Sequence, residues 1–205
     1  MVGSETVRRH RRDDVAAVAL RILDDHGLAD LTMRRLAASL DVQPSALYWH
    51  FENKQTLIAE LADRIIDGHP ASAAAVSGAG ADWRARTRVE AAALRDALLA
   101  YRDGAEVVSS TLALGLGSGR ALGRLTEAVA LGRFDEATSR RAGTALLHFV
   151  LGHVSHEQQR LQYDSVGVLA VGAETDPLGD DDQAQAFAFG VGLLVDGLSL
   201  VPTVR

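Results

Sequence analysis

The chain contains no cysteine, which excludes disulfides, thiolate metal sites and cysteine nucleophiles together. It also lacks a run able to cross a bilayer. The apolar stretch from Val191 to Val201 falls short of the roughly 20 residues a spanning helix needs, and it carries Asp196. No secretory leader is legible: Arg8, Arg9, Arg11 and Arg12 are followed by Asp13 and Asp14 where an apolar region would have to stand, so a cytoplasmic location is expected. Neither internal repeats nor the apolar–polar alternation of strands can be found, and the expected fold class is all-α.

What remains is a globular composition. Of 205 residues 47% are apolar, enough for one or two small domains with real cores. The net charge of −6 argues against nucleic-acid binding only until it is located. Residues 1–54 hold eight of the 21 Lys and Arg and eight of the 27 Asp and Glu, so the whole deficit lies downstream of them. A phosphate backbone feels local charge, and here the basic groups gather in the arginine-rich arm and at Arg34, Arg35 and Lys54.

The most informative stretch runs from Thr32 to Lys54. Met33, Leu36, Ala37 and Leu40 share one helical face, and Leu47 and Phe51 resume that spacing beyond a break at Asp41-Val42-Gln43-Pro44. Two short helices can then pack crosswise as a helix-turn-helix. Thr32 stands where an N-cap belongs, and Pro44 suits a first helical turn. Ser45, Ala46, Tyr48, Trp49 and His50 are left pointing outward, a set suited to contact. A supporting helix precedes the pair, with Val15, Val18, Ala19, Ile22 and Leu23 in register and Gly27 as its stop; a longer one, capped by Asn53, follows to about Asp67.

Residues 71–81 are almost wholly Ala, Ser, Gly and Val, and read as a loop or weakly ordered connection. Helices are expected from Asp82 to about Tyr101, near Ala105–Leu112, from about Ser118 to Leu131, from Asp135 to about Tyr163, and from Gln183 to about Leu200. The acidic, glycine-containing stretch 164–182 reads as a flexible surface loop. The last helix is apolar on most sides, and a second copy of the chain is the simplest cover, giving a four-helix interface with two helices from each subunit.

These residues resemble the TetR family of bacterial transcriptional repressors, and within it the tetracycline-repressor branch. The likeness rests on Leu47-Tyr48-Trp49-His50 with Asn53-Lys54, and continues through Tyr101-Arg102-Asp103-Gly104-Ala105, His148-Phe149-Val150-Leu151-Gly152 and Ala188-Phe189-Gly190. The resemblance implies a homodimer with a DNA-reading head, residues 1–54, and a ligand-binding and dimerisation body, residues 55–205. It implies a palindromic double-stranded operator, a small-molecule inducer and no catalytic activity.

In the head, Arg34 has the fork that matches guanine O6 and N7, and the family places a base-reading arginine at the matching position. Thr32, Pro44, Ser45, Ala46, Tyr48, Trp49, His50 and Lys54 complete the expected DNA-contacting set. Ala46 can meet a thymine methyl, Tyr48 can pack on sugar and phosphate, His50 can reach a phosphate, and Lys54 can clamp a phosphate at a helix N-terminus. Trp49 is assigned mainly to packing, with a phosphate contact second. The terminal arginines are either a solubilising tail or a DNA-contacting arm. Gln43-Pro44 stands one residue earlier than the family's Gln-Pro pair, so Pro44 and Ser45 occupy reading positions and a different operator is expected.

In the body, the family's Arg-Pro pair after Asp-Gly-Ala is replaced near Ser109, Thr111 and Leu112. Its metal-linked glutamate aligns with His156, and a histidine after the fourth helix aligns with Pro70. An inducer other than tetracycline–magnesium is expected, with Ser109, Thr111, Leu112, His148, Leu151 and His156 as candidate ligand residues. His148 matches a histidine that faces the family's inducer cavity. The histidines of the long helix, His148, His153 and His156, are open to either metal or ligand contact or a plain structural role. No cofactor motif is present: Gly115-Leu116-Gly117-Ser118-Gly119 has neither a preceding strand nor a Walker lysine. The competing reading from another class is a helical small-molecule or metal-binding protein without DNA-binding activity.

Overall fold

In a computed structural model the described residues, 10–117, 119–165 and 183–203, form helices and connections with no strand among them. The helices are α1 (Arg12–His26), α2 (Met33–Ser39), α3 (Pro44–Leu47), α4 (Lys54–Gly68), α5 (Ala73–Ala79), α6 (Trp83–Leu99), α7 (Gly104–Ala113), α8 (Arg120–Ala130), α9 (Glu136–Ser165) and α10 (Gln183–Leu198). The expected acidic loop 164–182 lies almost entirely outside the described residues, as do Arg8 and Arg9. No helix among the described residues is long and apolar enough to cross a membrane.

Local chemistry accounts for most of the boundaries. Thr32 Oγ1 accepts the Arg35 N–H at 3.1 Å and Asn53 Oδ1 accepts that of Thr56 at 2.9 Å, so both expected N-caps are in place. Asp82 and Asp135 cap α6 and α9 in the same way, through the amides of Arg84 and Thr138. α2 closes in a Schellman arrangement: Asp41 takes left-handed backbone at φ 54°, its N–H meets Ala38 O at 3.3 Å, and that of Val42 meets Ala37 O at 3.0 Å.

One expectation fails between α4 and α6. Residues 73–79 are helical rather than a loop, because alanine is the strongest helix former and Ser72 Oγ caps the segment by accepting from Ala75 N at 3.1 Å. Gly78 does not break α5; Gly80, at φ 58°, ends it. The helix buries nothing, which is why no apolar period betrays it.

One continuous apolar core runs from Val15 and Leu23 through Leu36, Leu47 and Phe51 to Leu125, Val150 and Val195. α4 is its hub. Leu57, Leu61 and Ile65 are buried along α4, which packs on α1 in the head and on α6, α7 and α8 in the body.

Candidate nucleic-acid interface and ligand clefts

In the head the apolar face of the helix pair is used up by Leu36, Ala37, Leu40, Leu47 and Phe51, all buried. The opposite side carries Thr32, Arg34, Pro44, Ser45, Tyr48 and Trp49, all exposed, with Ala46 and His50 partly so. Arg34 has no hydrogen-bond or ion-pair partner among the described residues, whereas its neighbour Arg35 is held by Asp30 at 3.0 Å. The structure therefore brings eight of the nine expected DNA-contacting residues to one accessible side.

Trp49 corrects the sequence reading. It is 90% exposed and packs against nothing that could be called core. Leu47 and Phe51, four apart, take the buried face, and Trp49 stands two residues from each, on the far side of the turn. Tyr48, beside it, is 53% exposed.

Lys54 sits at the first position of α4, but its Nζ turns towards the Leu28 carbonyl at 3.4 Å and into the junction of head and body. Arg12, grouped with the arm on sequence grounds, is structural instead. Its guanidinium lies 4.5 Å from the Phe51 ring centroid and donates to His50 O at 3.1 Å and to Glu60 at 3.0 Å, joining α1 to the turn after α3 and to α4. Beside it Arg64 bridges Glu60 and Asp13, at 2.8 and 2.5 Å. Burial alone would raise the Glu60 carboxyl, but the Arg64 and Arg12 guanidiniums outweigh it and hold it below its ordinary value.

The body offers two surface clefts that meet at Glu106 and Ser110 on α7. One, about 750 Å³, lies between α7 and α9 and is lined by Ser109, His148, Leu151, Ser155 and Gln159 among others. Three of the six expected ligand residues, Ser109, His148 and Leu151, thus come together. The other cleft, about 580 Å³, lies at the head–body junction between Leu28, Lys54, Ile58, Asp103 and Leu114. Thr111 reaches that second cleft, but its hydroxyl is satisfied within α7 by Val107 O and Val108 O. Leu112 faces a cavity of only about 20 Å³ between α4, α7 and α8. His156 lines none of these three. His153 pairs a ring nitrogen with Gln183 O at 3.1 Å across to α10, and no group of three metal-ligating side chains gathers among the described residues.

The sequence reading missed the join between head and body. Asp103, at φ 57°, caps the approach to α7 and accepts the Leu28 N–H at 2.8 Å and the Gln162 amide at 2.5 Å. Arg102 adds bonds to Asp24 and to Asp25 O. Gln158, buried, donates to Leu98 O and Tyr101 O and accepts from Ala105 N, clamping the α6–α7 turn from α9.

Comparison with known proteins places this arrangement. The family model for bacterial regulatory proteins of the tetR family matches residues 16–61, and that for tetracyclin repressor-like C-terminal domains matches 77–171. Tetracycline repressor protein class E of Escherichia coli is 33% identical over 198 residues, which is 91% of this chain and 90% of that protein. The chain belongs to the TetR family. The class C repressor of Escherichia coli is 43% identical over 102 residues, 49% of this chain, a match that spans only 45% of that relative's length. Among solved TetR-fold structures, BioQ with its natural double-stranded DNA operator superposes with a TM-score of 0.75 at 39% identity, covering 94% of this chain and 99% of that one. Family membership makes the chain a regulatory protein.

Proposed function

We propose that this TetR-family chain is a ligand-released transcriptional repressor, acting as a homodimer on a palindromic operator. The observation that carries the reading is the accessible, unpartnered set Arg34, Tyr48 and Trp49 on a helix-turn-helix whose other side is wholly committed to the core. A short helix such as α3 can enter the major groove end-on while Arg34 reads a guanine edge from the start of α2. The likeness to BioQ held on its operator supports the same use. The DNA-reading head is residues 1–54 and the ligand-binding and dimerisation body is residues 55–205, a division that falls at the first residue of α4. Pro44 and Ser45 stand in the reading positions, and proline cannot make a bidentate base contact, so the operator differs from that of the tetracycline repressors.

Dimerisation follows from what α9 and α10 leave uncovered. Phe187, Val191 and Val195 of α10 are buried, while Phe189 and Leu193 on its other side, with Leu161 and Tyr163 of α9, are exposed. Burying each such side chain is worth about 1.5–3 kcal/mol, and a second copy supplies a matching face under two-fold symmetry.

The inducer enters the cleft beside His148, Ser109 and Leu151 and is not tetracycline–magnesium. It releases the operator only to the extent that it binds one head spacing better than the other. Sedimentation of the wild-type chain and of the Phe189→Asp, Leu193→Asp double variant tests the assembly. A wild-type dimer and a folded monomeric variant with weakened DNA binding are expected; a monomeric wild type overturns it.

A further inference from the structure

The cleft at the head–body junction is lined by charge that the protein leaves unmatched. It holds about 580 Å³, within the range of small-ligand pockets, and three ionisable side chains line it: Lys54 from the head, and Asp103 and Glu106 from the body. Asp103 is fully engaged, one oxygen accepting the Leu28 N–H at 2.8 Å and the other the Gln162 amide at 2.5 Å. Lys54 is not. Its Nζ holds one long bond, to Leu28 O at 3.4 Å, and no carboxylate lies within ion-pair distance among the described residues. Glu106, on α7, is exposed and has no hydrogen-bond or ion-pair partner among those residues. The two opposite charges thus line one cleft and stand too far apart to pair with each other.

Much of the remaining lining is apolar: Leu28 and Ile58, which back onto the core, and Leu114, which is left 60% exposed. The hydroxyls of Ser110 and Thr111 are spent on carbonyls of their own helix. A simple anion on Lys54 leaves Glu106 unmatched, and a simple cation on Glu106 leaves Lys54 so. A molecule that carries both charges on an apolar body answers the whole lining and adds no net charge. Water solvates both side chains, so the apolar body supplies most of the affinity and the two charges supply the selectivity.

We propose that the junction cleft binds a small zwitterion with an apolar body, an apolar amino acid or a dipeptide of such residues, its carboxylate on Lys54 and its ammonium on Glu106. This site is separate from the cleft beside His148: Glu106 borders both, but Lys54, Leu28 and Ile58 line only the junction. The ligand ties the first residue of α4, in the head, to α7 in the body, and so favours one disposition of head on body. Its effect on operator affinity is set by its preference between dispositions and rests on the repressor reading; the binding site itself does not.

Calorimetric titration of the folded chain without DNA tests the site, with leucine and leucyl-leucine as the zwitterions. The controls for each are its amide, which lacks the carboxylate, and its N-acetyl form, which lacks the ammonium. Saturable binding of at least one zwitterion is expected, and the tighter of the two says whether the ligand is the free amino acid or the peptide. Each capped form should bind about two- to fivefold more weakly, the worth of one solvent-exposed ion pair. Lys54→Met should erase the preference over the amide and keep that over the N-acetyl form, and Glu106→Gln should do the reverse. A merely structural role for either residue would not give that crossed pattern. Saturable binding of neither zwitterion, equal affinity of capped and uncapped forms, or preferences that survive both substitutions overturn the proposal. Preferences lost with Glu106→Gln but untouched by Lys54→Met put the zwitterion in the cleft beside His148 and overturn it too. Operator binding with and without the zwitterion reports separately on the repressor reading.

Discussion

Asp103 accepts the backbone N–H of Leu28 at 2.8 Å across 75 residues of sequence, and so fastens the loop after α1 to the turn before α7. A partly buried hydrogen bond to a charged group is worth about 1.5–3 kcal/mol. Asp103→Ala should lower stability by roughly that amount and speed exchange of the Leu28 amide, whereas Asp103→Asn keeps an acceptor and should retain most protection. Unchanged exchange at Leu28 in the alanine variant would remove this latch from the account.

Asp41 holds the turn of the helix-turn-helix in left-handed backbone at φ 54°. Glycine takes that conformation without the steric cost, so Asp41→Gly should raise stability by about 0.5–1 kcal/mol, although the more flexible unfolded chain takes some of it back. Thermal melts would register the gain. A loss in midpoint would mean that the Asp41 side chain supports the turn in some further way.

Glu60 makes the head sensitive to acid. Its carboxyl is held below the ordinary 4.5, against the upward pull of burial, by hydrogen bonds and charge from Arg64 and Arg12. A carboxylate with a depressed folded pKa stabilises fully above its unfolded pKa, and the contribution disappears as pH falls through the folded value. Glu60→Gln should therefore cost about 0.5–1 kcal/mol near neutral pH, a modest figure because solvent screens the pair, and the difference from wild type should close as pH falls through the depressed folded value. A gap that persists in acid would assign the loss to packing instead.

Three head residues separate by role. Trp49→Ala should leave stability within about 0.5 kcal/mol, because so exposed a side chain packs against almost nothing, while reducing DNA affinity. Arg34→Ala should cost roughly 1–3 kcal/mol of binding and relax choice at one base pair, whereas Lys54→Ala, which removes an ammonium turned into the head–body junction, should change the affinity for every duplex much less. Anisotropy titrations on a set of point-substituted duplexes read all three. Equal losses on every duplex from Arg34 and Lys54 would refute the division.

The helices and the outward face of α3 were legible because apolar spacing and caps are local signals: Thr32, Asn53, Asp82 and Pro44 each sit where their chemistry requires. α5 was not, since a helix that buries nothing has no period to read. Trp49 was misassigned because composition marks an aromatic as core, and only the competing claims of Leu47 and Phe51 on one face show otherwise. The bonds from Asp103 to Leu28 and from Gln158 to Leu98 join residues far apart in sequence, and no spacing rule could pair them. The same holds for the cleft that gathers Ser109, His148 and Leu151 and leaves His156 aside.

The central claim is that this head reads one palindromic duplex sequence. Selection by the purified protein from a random duplex pool at low salt, followed by a salt titration on the winning sequence, tests it most directly. A single inverted repeat is expected, distinct from a tetracycline-repressor operator, with log affinity falling linearly and steeply with log salt as counterions are released. Recovery of no preferred sequence, with the chain folded, would contradict it.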